Sequence, residues 1–333
     1  MKILHLSDLH FTADDQVNQP LVDRLTFVAN NYREHFIVIT GDIIDGEGAV
    51  VPGTQLPVPG GINGVPEIIP SLLTNLPPLT GPLVSPHLDQ FQAALTAALN
   101  ALQLLPQGKV IVCAGNHDYG LWGNIYFSNL PQLFDDMLYT PLMNRGGPQD
   151  GSTLTAASLF ADQELLLSAQ KPILYSVSDG TIGVSLVSVN TAFIDATNIP
   201  SATFATGMVG GAQITALQNN GGFNPQLPAN LLPTIVMMHH HPFTHGPSSF
   251  VTRLNDADTF MPVVRNRADL IMFGHQHVEK RFEPGDVPFG GFRAGALAAG
   301  SSRVETGAWE ISIDPDPSGA TPAIYSFTRQ PIL

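Results

Sequence analysis

The 333-residue chain has one cysteine, Cys113, which excludes an intrachain disulfide framework and fits a reducing compartment. Charge is scarce. Asp, Glu, Lys and Arg together make up 13%, about half the usual share. Lys and Arg number 14 against 28 Asp and Glu, for a net charge of -14, and the cations form no run. That balance excludes broad electrostatic binding to nucleic acid or to an anionic membrane surface, since both need clustered cations. No apolar stretch approaches the roughly 20 residues that span a bilayer. "MKILHLSDLH" enters strand-like sequence without the charged region and apolar stretch of a signal peptide, so a cytoplasmic protein is expected. What is plentiful is punctuation: 31 glycines and 28 prolines imply much turn and irregular loop.

Hydrophobic content of 44% is ordinary, and the length allows a large core. "KILHLS", "FIVIT" and "KVIVCAG" read as short buried strands, separated by stretches with helical spacing such as Leu21, Leu25 and Val28. Between the second and third strands lies a Gly/Pro-rich insertion at about 46–85, poor in charge and without period. "PILYSV" and "TIGVSLVSVN" suggest a hairpin around Asp179-Gly180, and "GAQITALQNN" a short helix. "LPTIVMM" and "DLIMF" are further buried strands, with a helix over "DADTFMPVVRNRA" between them. Strand alternation returns at 290–330. The pattern predicts an α/β fold, one domain over 1–333.

Five of these strands end in metal-ligand residue types: Asp8 and His10, Asp42, Asn116 and His117, His239 to His241, and His275 and His277. Seven of the eleven histidines fall in these stretches. In open α/β sheets, sites form outside the carboxyl ends of strands, so neighbouring ends would gather these groups. Taken singly, Asp8-Leu9-His10 and Gly41-Asp42 are weak signals, since Gly-Asp is also ordinary turn chemistry. Their joint order is strong.

That order resembles the calcineurin-like metallophosphoesterase family, whose marks are D-x-H, G-D, G-N-H-D/E, a later His and G-H-x-H. The match runs from Asp8 to His277, and "HLSDLH" and "HHHP" are similar to the cyclic-nucleotide phosphodiesterase branch. The resemblance implies a four-layer αββα sandwich, with two central mixed β-sheets, holding two metal ions. Carried over, it implies Asp8, His10 and His277 on one metal, Asn116, His239 and His275 on the other, and Asp42 bridging. It implies His117 as general acid and Asp118 as the group that orients its ring. His241 shares a strand face with His239 and is the alternative ligand. His5 reads as a core or supporting residue.

Oxygen and imidazole ligands without thiolate suit Mn, Fe or Zn. The implied activity is hydrolysis of a phosphodiester or phosphomonoester by a metal-bridging hydroxide, the diester favoured. Two divalent ions would also let an acidic chain attract an anionic substrate. The expected partner is a small phosphoester, with nucleotides among the candidates. The alternative is a metal-binding scaffold that keeps the fold without turnover. Arg253, Arg265, Arg267 and Arg303 are candidate phosphate contacts; Trp122, Tyr126 and Phe127 could stack a base, and His87 and His245 could touch substrate.

Overall fold

Short runs of β-branched and aliphatic residues become strands here because both of their faces are covered. The computed structural model describes residues 1–45, 79–81, 87–119, 125–127, 130–159, 166–167, 171–192, 207–219, 233–243, 254–265, 267–286, 291–302, 308–318 and 323–331. In chain order the strands are β1 (Lys2–Leu6), β2 (Phe36–Thr40), β3 (Leu79–Gly81), β4 (Val110–Cys113), β5 (Ile125–Phe127), β6 (Thr153–Ser158) and β7 (Ile173–Ser178). They continue as β8 (Gly183–Ser188), β9 (Thr234–Met237), β10 (Leu270–Phe273), β11 (Lys280–Phe282), β12 (Gly295–Ala298), β13 (Ala308–Pro315) and β14 (Ala323–Gln330). The α-helices are α1 (Asp15–Asn31), α2 (His87–Leu102), α3 (Leu130–Phe134), α4 (Thr140–Met143), α5 (Gly211–Asn219) and α6 (Ala257–Val264). A π-helical turn, Asp135–Tyr139, joins α3 to α4.

Two mixed sheets form the centre. One has the order β14-β13-β1-β2-β4, the other β11-β12-β10-β9-β8-β7-β6. β1, β2 and β4 are parallel neighbours, as are β8, β9, β10 and β12. The side chains of the second sheet alternate between two cores. Ile235, Met237, Leu270 and Met272 belong to one continuous core with Ile3, Ile37 and Ile39 of the first sheet, which also takes in Leu21 and Leu25 of α1 and Phe91 and Leu95 of α2. Val236, Met238, Ile271 and Phe273 face the other way, onto Ile214 and Leu217 of α5 and Phe260 and Met261 of α6. Period-2 alternation on a doubly covered sheet therefore produces helix, sheet, sheet, helix: the expected four layers.

The β7–β8 hairpin turns at the expected Asp179-Gly180, where Asp179 Oδ1 accepts the Thr181 and Ile182 amides at 2.9 and 3.0 Å. α1 begins at Asp15, where Asp14 caps it by accepting from Gln16 N at 2.8 Å. The expected C-terminal strands are present, β12 in the second sheet and β13 and β14 in the first. Most of the 46–85 insertion lies outside the described residues. The part described, β3, pairs in parallel with β5, which the absence of strand period in the sequence did not predict. Among the described residues no helix is long and apolar enough to cross a membrane.

Buried Asp269, just before β10, joins both sheets. Its Oδ2 accepts from Thr234 N at 2.9 Å and from the Tyr325 hydroxyl at 3.2 Å, and Oδ1 pairs with Arg293. Asp269→Ala should cost about 2–4 kcal/mol by stranding these donors, read from urea unfolding. Unchanged stability would contradict the role assigned to this carboxylate.

Candidate metal centre

The loops after β1 and β2 stay paired beyond the strands: Asp8 N donates to Gly41 O at 3.1 Å, His10 N to Asp42 O at 3.0 Å and Phe11 N to Ile43 O at 2.9 Å. That pairing places Asp8, His10 and Asp42 side by side. All three have positive φ, of 54°, 54° and 49°, and so do His275 at 75° and His277 at 53°. These five are the non-glycine residues in the left-handed region among the described residues.

The glycines that open two motifs are there for clearance. A Cβ on Gly274 would lie 2.6 Å from Asp8 Oδ2, and one on Gly115 would lie 2.8 Å from Asp42 Cγ. Only a residue without a side chain lets the β10 and β4 ends close onto carboxylates presented by β1 and β2.

The closure produces two clusters. In the first, His277 Nε2 lies 3.3 Å from Asp8 Oδ1 and 3.1 Å from His10 Nε2. In the second, His239 Nε2 lies 3.0 Å from Asp42 Oδ2, 3.1 Å from Asn116 Oδ1 and 3.1 Å from His275 Nδ1. The donor atoms of Asp8, His10 and His277, and those of Asp42, His239 and His275, lie within 4.8 Å of one another. His239 Nδ1 donates to Thr40 O at 2.8 Å, so in the neutral ring Nε2 carries a lone pair. That lone pair meets a carboxylate oxygen, an amide oxygen and another imidazole nitrogen. A neutral His239 beside two oxygen acceptors and a second imidazole is a donor set that fits a cation, which would take the place of the proton on Nε2.

The electrostatics agree. Burial alone would raise the Asp42 carboxyl, but His239 and His117 beside it hold it well below the usual range. Burial would likewise raise Asp8, and the His277 hydrogen bond and the His239 charge bring it below its ordinary value. Burial lowers His10 to about 4 and His275 to about 3. His239 and His277 go the other way. Burial opposes it, yet the Asp42 carboxylate lifts His239 to about 9 and the hydrogen bond to Asp8 raises His277. Each cluster therefore draws one positive charge toward itself.

His117 sits in a 3-10 turn, His117–Tyr119, directly after Asn116. Its backbone N donates to Asp42 Oδ1 at 3.0 Å and its ring lies edge-on to His10 at 4.9 Å. The expected Asp118 contact with that ring is replaced. Asp118 is buried and accepts from Ile43 N at 2.8 Å, Ile44 N at 3.0 Å and Gly115 N at 2.8 Å, which ties the β2 and β4 loops together. Successive residues of a tight turn point apart, so the neighbour in sequence does not reach the ring. The carboxylate facing His117 is Asp45, with Oδ1 3.5 Å from Nδ1. Its signal was present, three residues after Asp42 in "GDIIDG", but nothing in the sequence set it apart from a loop acid.

His241, the alternative ligand, points away and packs against Phe243, Phe273 and Phe282. β9 ends at Met237, so strand alternation no longer governs the triple histidine. His5 supports the site from behind, Nε2 to Thr40 Oγ1 at 2.9 Å. Arg267 donates to Leu217 O at 2.9 Å, and Arg265 is exposed after α6. Trp122, His245, Arg253 and Arg303, and the side chains of His87, Tyr126 and Phe127, lie outside the described residues.

A family model for calcineurin-like phosphoesterases matches residues 1–279. The chain belongs to this family. No curated protein matches its sequence. Among solved structures, this calcineurin-like phosphoesterase is similar to a Staphylococcus aureus protein assigned as a 5'-nucleotidase, solved with α-ketoglutarate, at 13% identity and a TM-score of 0.50. The match covers all of this chain but 54% of that protein, so the chain spans about half of its length. It is also similar to the calcineurin-like phosphoesterase YfkN of Bacillus subtilis, at 12% identity and a TM-score of 0.45, over 100% of this chain and 90% of that one. Divalent metal use in the family accords with the two clusters.

Gly115→Ala and Gly274→Ala should each cost about 1–3 kcal/mol through overpacking and lower the bound metal, read by thermal melts and elemental analysis. Wild-type melting with full metal content would refute the clearance argument.

Proposed function

We propose that this phosphoesterase is a dinuclear hydrolase, with Asp8, His10 and His277 on one metal ion, Asn116, His239 and His275 on the other, and Asp42 shared. The observation that carries the reading is the convergence of Asp42 Oδ2, Asn116 Oδ1 and His275 Nδ1 on His239 Nε2, beside a second cluster built on Asp8. The donor set suits Mn, Fe or Zn. When bound, the metal pair would supply an acidified water and polarise the phosphoryl oxygens.

The chain's own residues supply the rest. His117 donates a proton to the leaving oxygen as the phosphorus–oxygen bond breaks, so the alcohol departs neutral. Asp45 faces Nδ1 of that ring, which leaves Nε2 to do the donating. The bond from His117 N to Asp42 Oδ1 fixes the acid relative to the shared ligand, and Asp118 braces the same turn through three amides. A phosphodiester is the preferred substrate, a small molecule such as a nucleotide rather than a nucleic-acid polymer, since a net charge of -14 offers no cationic track.

With Mn²⁺ added, bis-(p-nitrophenyl) phosphate should be hydrolysed faster than p-nitrophenyl phosphate. No turnover of either, with metal bound, would favour the scaffold alternative. Asp42→Ala should lose both ions, and elemental analysis showing two retained would remove its shared role. His117→Ala should keep both ions and slow esters with poor leaving groups about 10²–10⁴-fold, activated esters much less. An equal loss for both ester classes would exclude it as the acid.

A further inference from the structure

His240, the middle imidazole of the triple histidine, has no part in the chemistry above. His240 is fully buried, its ring centroid 4.5 Å from that of His275 and 5.0 Å from that of His239. The chain closes on it at Gly207, where an added Cβ would stand 2.7 Å from His240 Cβ. Its hydrogen-bond partner is Thr191, also fully buried, just past the end of β8. Thr191 Oγ1 accepts the His240 backbone N–H at 3.1 Å and lies 2.9 Å from His240 Nδ1, while Nε2 has no hydrogen-bond partner.

Hydrogen accounting decides the direction of the second bond. Were Nδ1 the donor, the Thr191 hydroxyl hydrogen and the Nε2 lone pair would both be stranded. With the hydroxyl donating to Nδ1, only Nε2–H is left over. Buried polar groups are seldom unpaired, so the second arrangement holds, and it sets both tautomer and ring orientation. Adjacent Asn190 is anchored in turn: its Nδ2 donates to Tyr119 OH at 3.2 Å and to Leu167 O at 2.7 Å. Tyr119 belongs to the turn that carries His117.

We propose that the Asn190–Thr191 corner is a positioning element for the metal centre: Thr191 locks the His240 ring, which holds the His239 and His275 rings by direct contact. The proposal rests on the dinuclear reading above, and its test reads metal affinity rather than turnover. Mn²⁺ is titrated into the full chain by calorimetry, the loaded protein is followed by EPR, and metal-free thermal melts control for folding. Wild type should bind two ions. Thr191→Val should weaken at least one of them about 10–100-fold, while Thr191→Ser, which keeps the hydroxyl, stays within about threefold of wild type. Wild-type affinity and spectrum in Thr191→Val would overturn the proposal, as would an equal loss in Thr191→Ser. Should Thr191→Val fail to fold, His240→Phe reads the same link from its other end, since it keeps a ring but loses the acceptor. The same weakening is expected there, and undiminished affinity overturns the proposal. A wild-type protein that binds no Mn²⁺ defeats the dinuclear reading itself, and this proposal with it.

Discussion

Left-handed backbone at Asp8, His10, Asp42, His275 and His277 is the constraint on which the rest of the site depends. A non-glycine residue in that region costs about 1–2 kcal/mol, so five of them approach the whole net stability of a domain, about 5–15 kcal/mol. Asp and His tolerate the conformation better than branched residues do, which partly explains the residue types. The remainder is held by neighbours. Asp8 accepts the His275 amide through both oxygens, at 3.2 and 3.1 Å, Ser301 Oγ donates to Asp8 O at 2.9 Å, and the β1 and β2 loops stay paired past their strands. Strain confined, among the described residues, to candidate ligands, and over-determined by its surroundings, points to a site selected for its geometry.

That geometry concentrates negative charge and lone pairs in a buried place, while several of the described cations are engaged elsewhere. Lys109 pairs with Asp150, Arg293 with Asp269 and Arg329 with Glu279. On the proposed reading, an anionic substrate approaching this acidic chain would draw its attraction from ions held by the clusters themselves. Asp42 serves both sides of the arrangement. One of its oxygens faces His239 and the other takes the His117 amide, so under the proposed mechanism metal placement and acid placement would share a single carboxylate.

Much of this was legible in the sequence because strand ends are local. A run such as "FIVIT" ending in "GD" announces a buried strand and a polar exit, and parallel pairing of β1, β2 and β4 brings three such exits together. What escaped depends on distance or on turn geometry. Asp45 and Asp118 are both aspartates beside or within a motif, and only the fold shows which one meets the His117 ring. His239 and His241 were separable only once β9 was seen to stop at Met237. The π-helical turn between α3 and α4, with buried Asp135 accepting Leu167 N at 2.9 Å, left no mark in the residue pattern at all.

The central claim is that five strand ends enclose two cations, and anomalous diffraction from crystals of the Mn²⁺-loaded protein tests it most directly. Two peaks are predicted, one within coordination distance of Asp8, His10 and His277, the other of Asn116, His239 and His275, with Asp42 touching both. A single peak, or peaks away from these side chains, would contradict the account.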